Sequence, residues 1–343
     1  ADESIEVQDF GRGIPVDWNN SEQCYNWELV FCELYAGGKY KDQGENYEFS
    51  LGLNGLGSCA TQYASRFFDV QIVRDGFQYD LHFEKGSIVG DMKKETTTQK
   101  KTGSKQKWLP DMDVFTDISI PTDYFLDTLK KQAVVNPGIL FEFFDHTEDG
   151  VKKYDFCYEN GVTDYLKEEV GENSLTGIEY WEAERVGRDR EDRGDYKVKF
   201  SVALTFSNRV KMTEYYHNSS FLEYGGSPER AVRQAFVSQI DAYLKQNGKY
   251  LKNENKITFA DVEECLCLIS SSFSTQTSYE NQTKKAITNK FIYESMTEFL
   301  KHQLEIYFLE NPVEANKIVE QVMVNKRSRE NAEKTRLNIK KKL

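Results

Sequence analysis

The sequence predicts an α+β fold made twice over, each half a sheet with helices laid on it. Three observations carry this reading. In the first half, alternating strands flank a tight Asp75-Gly76 turn. In the second, Tyr196, Val198, Phe200, Val202, Leu204 and Phe206 alternate with mostly polar residues. After that stretch comes an amphipathic helix with a Ser227-Pro228 start and an Asn247-Gly248 stop, followed by another strand. A chain of 343 residues is long enough for two cores of ordinary size.

In chain order, Ile5 and Val7 alternate with Glu6 and Gln8 as an opening strand. A loop around Gly11 to Pro15 leads to a helical pattern over about residues 22–35, where Trp27, Val30, Phe31 and Leu34 fall at helical spacing and Gly37-Gly38 supplies a stop. Residues 39–57 are glycine-rich and weakly periodic, so they read as a long loop, with a helix starting near Ser58. Val70 and Ile72 enter the Asp75-Gly76 hairpin, and Phe77, Tyr79, Leu81 and Phe83 leave it. The lysine-rich residues 93–107 read as an exposed excursion between strands. Strands are expected at 139–144 and 154–158, and a short helix at 162–170. Residues 171–176 lack pattern and mark a boundary, giving domains 1–172 and 173–343.

Beyond the 196–206 strand, Ser227 is the expected N-cap of a helix whose stripe runs through Val232, Ala235, Phe236, Ile240 and Tyr243. A strand at 264–269 follows. Strand, helix and strand in this order imply a right-handed crossover if the strands are parallel neighbours. A long helix over about 284–310 ends at Pro312, and a mostly charged helix closes the chain.

Composition narrows the function. No apolar run approaches the ~18 residues of a membrane span, so no membrane partner is expected. There is no signal peptide pattern, and the cysteines are scattered apart from Cys265-x-Cys267, which alternation would put on one strand face. Free thiols in a reducing cytoplasm are the expectation. The opening strand has almost no lead-in, so a fragment that lacks its N-terminal start is expected. The formal net charge of −12 argues against a basic nucleic-acid binder overall. From Lys326 onward, however, Lys326, Arg327, Arg329, Lys334, Arg336 and Lys340 gather, either as a solvated helix face or as an element near a phosphate backbone. His82, His146, His217 and His302 are far apart, which disfavours a hydrolase triad or a histidine metal site.

Two motifs carry chemistry in the first half. Asp9-Phe10-Gly11-Arg12-Gly13-Ile14-Pro15 ends the opening strand. Its carboxylate can accept a hydrogen bond from an exocyclic amine, Gly11 lets a flat ring approach the backbone, and Ile14 and Pro15 offer an apolar wall. By itself the motif could equally be an Asp-Gly turn. Gly52-Leu53-Asn54-Gly55-Leu56-Gly57 precedes a helix, where clustered N–H groups can meet anionic oxygens. It fits neither the dinucleotide fingerprint nor the phosphate-lysine loop.

Taken together, with Ala36-Gly37-Gly38-Lys39 between them, these motifs resemble the GHKL ATPases. Lys39, Tyr47 and the glycine run are similar to the B subunits of DNA gyrase and topoisomerase IV. In the second half, Tyr216-x-Asn218, Gly225-Gly226 and Gln282-Thr283-Lys284 resemble that family's transducer domain and its QTK loop, here placed at the opening of the long helix. The resemblance spans essentially the whole chain. It implies a GHKL-type ATPase sandwich, a mixed sheet with helices on one face, followed by an α/β transducer.

It further implies that Asp9 accepts the adenine amine beside Gly11, and that Ser104 helps hold adenine through water. Lys39 and Tyr47 belong to a lid, and Leu53, Asn54, Gly55, Leu56 and Gly57 wrap the phosphates. Gln282 and Lys284 reach the γ-phosphate as catalytic residues. ATP and Mg²⁺ are the implied cofactors. The implied partners are a second copy of the chain, a topoisomerase A-type subunit with the cleavage tyrosine, and double-stranded DNA. The glutamate base and the Mg²⁺-holding asparagine of the family are expected upstream of residue 1, so weak nucleotide turnover by this chain alone is expected. Asn54, Asp80 and Pro228 depart from the bacterial pattern, which has His, Arg and His there. The other reading is a non-catalytic, nucleotide-gated dimerisation module of another GHKL protein.

Overall fold

The computed structural model describes residues 2–36 and 55–340. Compactness divides the chain into two units, Ala1–Phe125 with Phe144–Lys153, and Leu126–Phe143 with Tyr154–Leu343. This division falls earlier than the 172/173 boundary because Ala133–Val135 and the helix Val162–Val170 bury apolar side chains with Ala203, Tyr216 and Ile269 of the second unit.

The first unit contains β1 (Ile5–Gln8), β2 (Trp18–Asn19), β3 (Cys24–Tyr25), α1 (Asn26–Phe31), α2 (Gly57–Tyr63), β4 (Ser65–Arg74), β5 (Phe77–Glu84), β6 (Ser87–Ile88), β7 (Lys93–Thr96) and β8 (Gly103–Pro110). Its main sheet is antiparallel throughout, in the order β1-β8-β4-β5-β6 with β7 also on β5. The predicted hairpin is present. Asp75 and Gly76 have φ of 53° and 79°, the pair of left-handed residues whose twist suits a two-residue turn between strands.

Alternation gives this sheet two unlike faces. Phe68, Val70, Ile72 and Phe83 bury against Trp27, Val30 and Phe31 of α1. On the other face Asp69, Asp80, His82, Lys105 and Lys107 line an open polar groove of about 470 Å³. The supposed excursion over 93–107 is therefore corrected, since it supplies β7 and most of β8, and β8 lies between β1 and β4. Lys105 and Lys107 point to the polar groove and Ser104 starts the other face, so too few apolar residues alternate for periodicity to register.

The helix expected over 22–35 is reduced to α1. Asn19 Oδ1 accepts the N–H groups of Ser21 and Glu22, at 3.0 and 3.1 Å, and bends the chain into the small β2–β3 hairpin. Glu28 then reaches back to the Tyr25 N–H at 2.7 Å and starts the helix.

Next come α3 (Thr122–Val135), which the sequence did not signal, and β9 (Phe141–Thr147) and β10 (Gly150–Phe156), a separate two-stranded sheet shifted slightly from the expected strands. The second unit continues with α4 (Val162–Val170), β11 (Glu179–Gly187), β12 (Tyr196–Phe206), β13 (Met212–His217), β14 (Ser220–Phe221), α5 (Ser227–Gln246), α6 (Phe259–Glu263), β15 (Leu266–Ser274), α7 (Lys290–Glu310) and α8 (Pro312–Lys340). The sheet order is β11-β12-β15-β13-β14. The strand 196–206 is antiparallel to β15 and so does not make the crossover. That role falls to β13, which is parallel to β15, with α5 and α6 between them in sequence. Both faces of this sheet are covered. Phe200, Val202, Leu204 and Leu268 pack with residues of α5, α7 and α8, and Ala203, Tyr216 and Ile269 pack with α4.

Three local expectations need correcting. Ser227 is the first residue of α5, not its cap; Gly226 holds the cap position and Ser227 Oγ donates to the Asn289 carbonyl at 2.8 Å. Cys265 and Cys267 fall in different clusters, because β15 begins at Leu266 and Cys265 turns out of α6. The long helix begins at Lys290, so Gln282-Thr283-Lys284 lies in the loop before it.

The basic C-terminal run is partly internal. Lys326 is fully buried, with its ammonium 3.0 Å from Glu254 and 3.3 Å from Glu330. Arg329 grips Asp261 through Nε and Nη2, at 2.7 and 3.0 Å. Burial would raise the Glu254 carboxyl, but Arg327, the Leu251 N–H and Lys326 hold it down at about 2. These residues fasten α8 to the body of the second unit; Lys334 and Arg336 are exposed. Among the described residues, no helix is long and apolar enough to cross a membrane.

Candidate functional site

The first motif is stitched to β8. The Asp9 N–H continues the ladder to the Ser104 carbonyl at 2.9 Å, and Asp9 Oδ1 accepts the Gly11 N–H at 2.8 Å. Ser104 Oγ accepts the Ile14 N–H at 3.0 Å. Thr102 Oγ1 donates to the Gly11 carbonyl at 2.6 Å, and Arg74 reaches the Gly13 carbonyl. Gly103 is required at the crossing: its φ is 152°, and a Cβ there would stand 2.0 Å from the Asp9 carbonyl oxygen. Asp9, Gly11, Ile14 and Ser104 are thus brought together, and Pro15 follows half-buried. Thr102 and Arg74 were not foreseen, although Thr102 stands in the same Lys101–Ser104 run.

The chemistry offered is specific. Asp9 binds the Gly11 N–H through Oδ1 alone, and Oδ2 has no partner among the described residues, so a carboxylate acceptor is left over. Ser104 is buried opposite Ile72, and after accepting from Ile14 its hydroxyl still has a proton to donate. An acceptor beside a donor, next to the half-buried Ile14 and Pro15, suits the edge of a planar ring that bears an amine. The larger groove on the polar face of the sheet includes none of Asp9, Ile14 and Ser104. A smaller groove of about 340 Å³ is lined by Asp9, Phe10, Thr102, Gly103 and Ser104, and its functional groups rather than its size select it.

Gly55, at φ 60°, and Leu56 lead into α2, whose first residue is Gly57. Gly57 has open space where a Cβ would stand, and Cys59 and Gln62 bury the inner side of the helix. Lys39, Tyr47, Leu53 and Asn54 lie outside the described residues.

In the second unit, the loop bearing Gln282 and Lys284 is fixed at its far end by the Gly-Gly motif. The Tyr224 N–H donates to the Lys285 carbonyl and the Ser227 N–H to the Ile287 carbonyl, both at 2.9 Å. Gly226, at φ 93°, leaves no room for a Cβ, which would meet the Ile287 carbonyl oxygen at 2.2 Å. Asn289 Nδ2 donates to Asp189 and to the Tyr196 hydroxyl, at 2.9 and 3.0 Å, while Asp189 accepts the Phe291 N–H at the start of α7. Gly225-Gly226 and Gln282-Thr283-Lys284, read in the sequence as separate signals, are therefore parts of one structure. Lys284 is half-buried at φ 58°, with its ammonium 5.7 Å from the Tyr279 ring centre. Burial lowers its pKa below the usual lysine range.

Among the described residues no group of three His, Cys, Asp or Glu side chains could hold a metal ion.

Comparison with known proteins agrees with these two halves. The chain is 29% identical over 338 residues to the DNA gyrase B protein of Mycoplasma pneumoniae, an alignment covering 96% of this chain and 51% of that protein. With the DNA gyrase B protein of Thermotoga maritima it shares 28% identity over 353 residues, covering 99% and 53%. The chain thus spans about half the length of the curated relatives it matches. Among solved structures, the topoisomerase IV ATP-binding domain of Francisella tularensis, determined with a small-molecule inhibitor, aligns at a TM-score of 0.69 and 25% identity, covering 96% of this chain and 84% of that one. The 43K ATPase domain of Thermus thermophilus gyrase B has the same fold, at a TM-score of 0.70 and 21% identity, covering 98% and 84%. The family model described as DNA gyrase B matches residues 161–338, more than half of the sequence, and the chain belongs to that family.

Proposed function

We propose that this chain is the ATP-operated clamp from the B component of a type IIA DNA topoisomerase. The observation that carries the reading is the Asp9–Ser104 pair, a free carboxylate oxygen beside a free hydroxyl proton, held by backbone bonds at the end of β1. Asp9 would accept the adenine amine, and Ser104 would serve the neighbouring ring nitrogen directly or through one water. Gly55, Leu56 and Gly57, with Leu53 and Asn54 before them, would turn backbone N–H groups to the phosphates. Lys39 and Tyr47 would belong to a segment closing over them. Mg²⁺ would accompany ATP as a counter-ion of its phosphates.

Lys284, assisted by Gln282, would bind the γ-phosphate. Its support is twofold: a single charge on a flexible stem, and a loop tied to the Gly225-Gly226 turn. A residue that contacts only the terminal phosphate gives ATP and ADP different affinities for two states of the protein, which is what a switch requires. Closure would bring two copies together around double-stranded DNA, and cleavage would be carried out by an A-type subunit. The first compact unit would be the nucleotide half and the second the transducer.

The test is the affinity of the complete protein for a β,γ-imido analogue of ATP and for ADP, with its size measured by sedimentation in each. The analogue should bind more tightly and produce a dimer. Lys284→Ala should remove at least about tenfold of that preference, the equivalent of about 1.4 kcal/mol. An unchanged preference would refute the role of Lys284. Asp9→Asn should weaken both nucleotides alike, and unaltered binding there would refute the adenine site.

A further inference from the structure

The loop that carries Lys284 is fixed at its far end by Gly226 and Asn289; its near end is held by a buried polar cluster centred on a histidine. His217, at the end of β13, is completely buried. Its Nδ1 is 2.8 Å from Ser272 Oγ, and its Nε2 is 2.8 Å from Thr277 Oγ1 and 3.1 Å from Ser274 Oγ. Asn218, next in sequence, accepts the Ser274 N–H at 3.0 Å and donates to the Ser274 carbonyl and to Thr277 Oγ1, both at 3.1 Å.

The network assigns the protons. Ser272 Oγ donates to the Tyr216 carbonyl at 3.2 Å, so it accepts from His217 Nδ1–H. Ser274 Oγ donates to the Gln276 carbonyl at 2.6 Å, so its proton is not available to the imidazole. With Nδ1 carrying the proton, Nε2 of the neutral ring is an acceptor, and of the two hydroxyls beside it Thr277, whose Oγ1 accepts from Asn218, is the one with a proton to give. His217 is therefore the neutral Nδ1–H tautomer, with Thr277 as the donor that completes it. Burial among hydroxyls and carbonyls, with no carboxylate in contact among the described residues, agrees with this and holds its pKa at about 3.

From this cluster a contact path leads to the lysine. The His217 ring meets the Tyr279 ring edge-on, with centres 6.4 Å apart. On that same Tyr279 ring rests the Lys284 ammonium, 5.7 Å from its centre. We propose that His217 is a positioning residue for Lys284: through Thr277 and Tyr279 it fixes the near end of the loop and the ring on which the ammonium lies. Core packing alone calls for no histidine here: an apolar side chain would fill the space but leave the hydroxyls of Ser272, Ser274 and Thr277 without their imidazole partner. Imidazole satisfies two hydroxyls on opposite sides and presents a flat edge to Tyr279. This inference rests on the γ-phosphate role given above to Lys284.

The experiment compares His217→Leu, His217→Gln, Thr277→Val and Lys284→Ala in the complete protein. Affinities for the imido analogue and for ADP are measured alongside hydrogen exchange of residues 276–289. Thr277→Val deletes one hydroxyl at the edge of the cluster and guards against a His217→Leu protein that fails to fold. His217→Leu and Thr277→Val should each lose at least about fivefold of the triphosphate preference, with faster exchange confined to the loop. His217→Gln, which keeps a polar end for Thr277, should retain most of the preference. If Lys284→Ala abolishes the preference while Thr277→Val and any folded His217→Leu keep it, the positioning role is wrong and the nucleotide role stands. If Lys284→Ala itself keeps the preference, both are overturned.

Discussion

The two sheets solve different problems with the same kind of strand. In the first unit, one face of the sheet is buried against α1 while the other is lined by Asp69, Asp80, His82, Lys105 and Lys107. In the second, both faces are covered, and β12 is buried almost continuously from Val202 to Phe206. A sheet with one free face and an edge strand ending in a polar loop can present groups to a ligand. A sheet packed on both sides resists deformation. The polar groups of the second unit are correspondingly internal: His217, Asn218 and Lys326 are all buried and partnered.

The largest effects should come from the two glycines that fix the site loops. Gly103→Ala in the first unit and Gly226→Ala in the second each drive a Cβ into a carbonyl oxygen at a left-handed φ. Each should destabilise its own unit by roughly 3 kcal/mol or more, read as separate shifts in urea unfolding. A shift under about 1 kcal/mol for either would show that its loop is free to move. Next, Lys326→Ala leaves Glu254 short of a buried partner and should lower the stability of the second unit by on the order of 3 kcal/mol, with Lys326→Met less damaging. Equal losses for both would mean that charge pairing, not packing of the lysine stem, holds α8.

Acid should separate the units by sign. Burial depresses His217 in the folded second unit from the usual 6.5 to about 3. The unfolded chain takes up that proton near pH 6.5 while the folded one refuses it until about pH 3. Stability is therefore complete above about 6.5 and falls on acidification by about 1.4 kcal/mol per pH unit. His82 in the first unit is raised instead, chiefly by its hydrogen bond to Asp69. Its stabilisation is present at low pH and is lost as pH rises through its elevated value, and its exposure keeps the effect small. His217→Gln should flatten the acid limb of the second unit alone; an unchanged slope would place its cause elsewhere. The smallest effect is expected for Ser104→Ala, which strips the Ile14 N–H of its acceptor and should cost about 1 kcal/mol of first-unit stability.

Much of this arrangement was legible in the residues. The β4–β5 hairpin, the strand 196–206 and the helix 162–170 stand where local pattern put them, because each carries its own turn, alternation or amphipathic stripe. The Asp9 loop was legible because a short run of Gly, Asp and Pro restricts its backbone locally. By contrast β8 was hidden, since half its side chains are lysines and polar groups facing a wet groove. β13 was hidden because its six residues are stabilised by a parallel neighbour fifty-odd positions later in the chain.

The sequence by itself determined where carboxylate, hydroxyl and glycine groups gather in short runs and that two sheets would be needed, for those facts depend on side-chain type and short-range periodicity. Only the tertiary structure decided what holds Lys284. Its loop has no strong propensity of its own; its shape comes from Gly226, Ile287 and Asn289 at one end and His217 and Thr277 at the other, contacts made between residues distant in sequence. Hydrogen bonds of that kind form only after the chain has paid the entropy of bringing its strands together, so no local reading can see them.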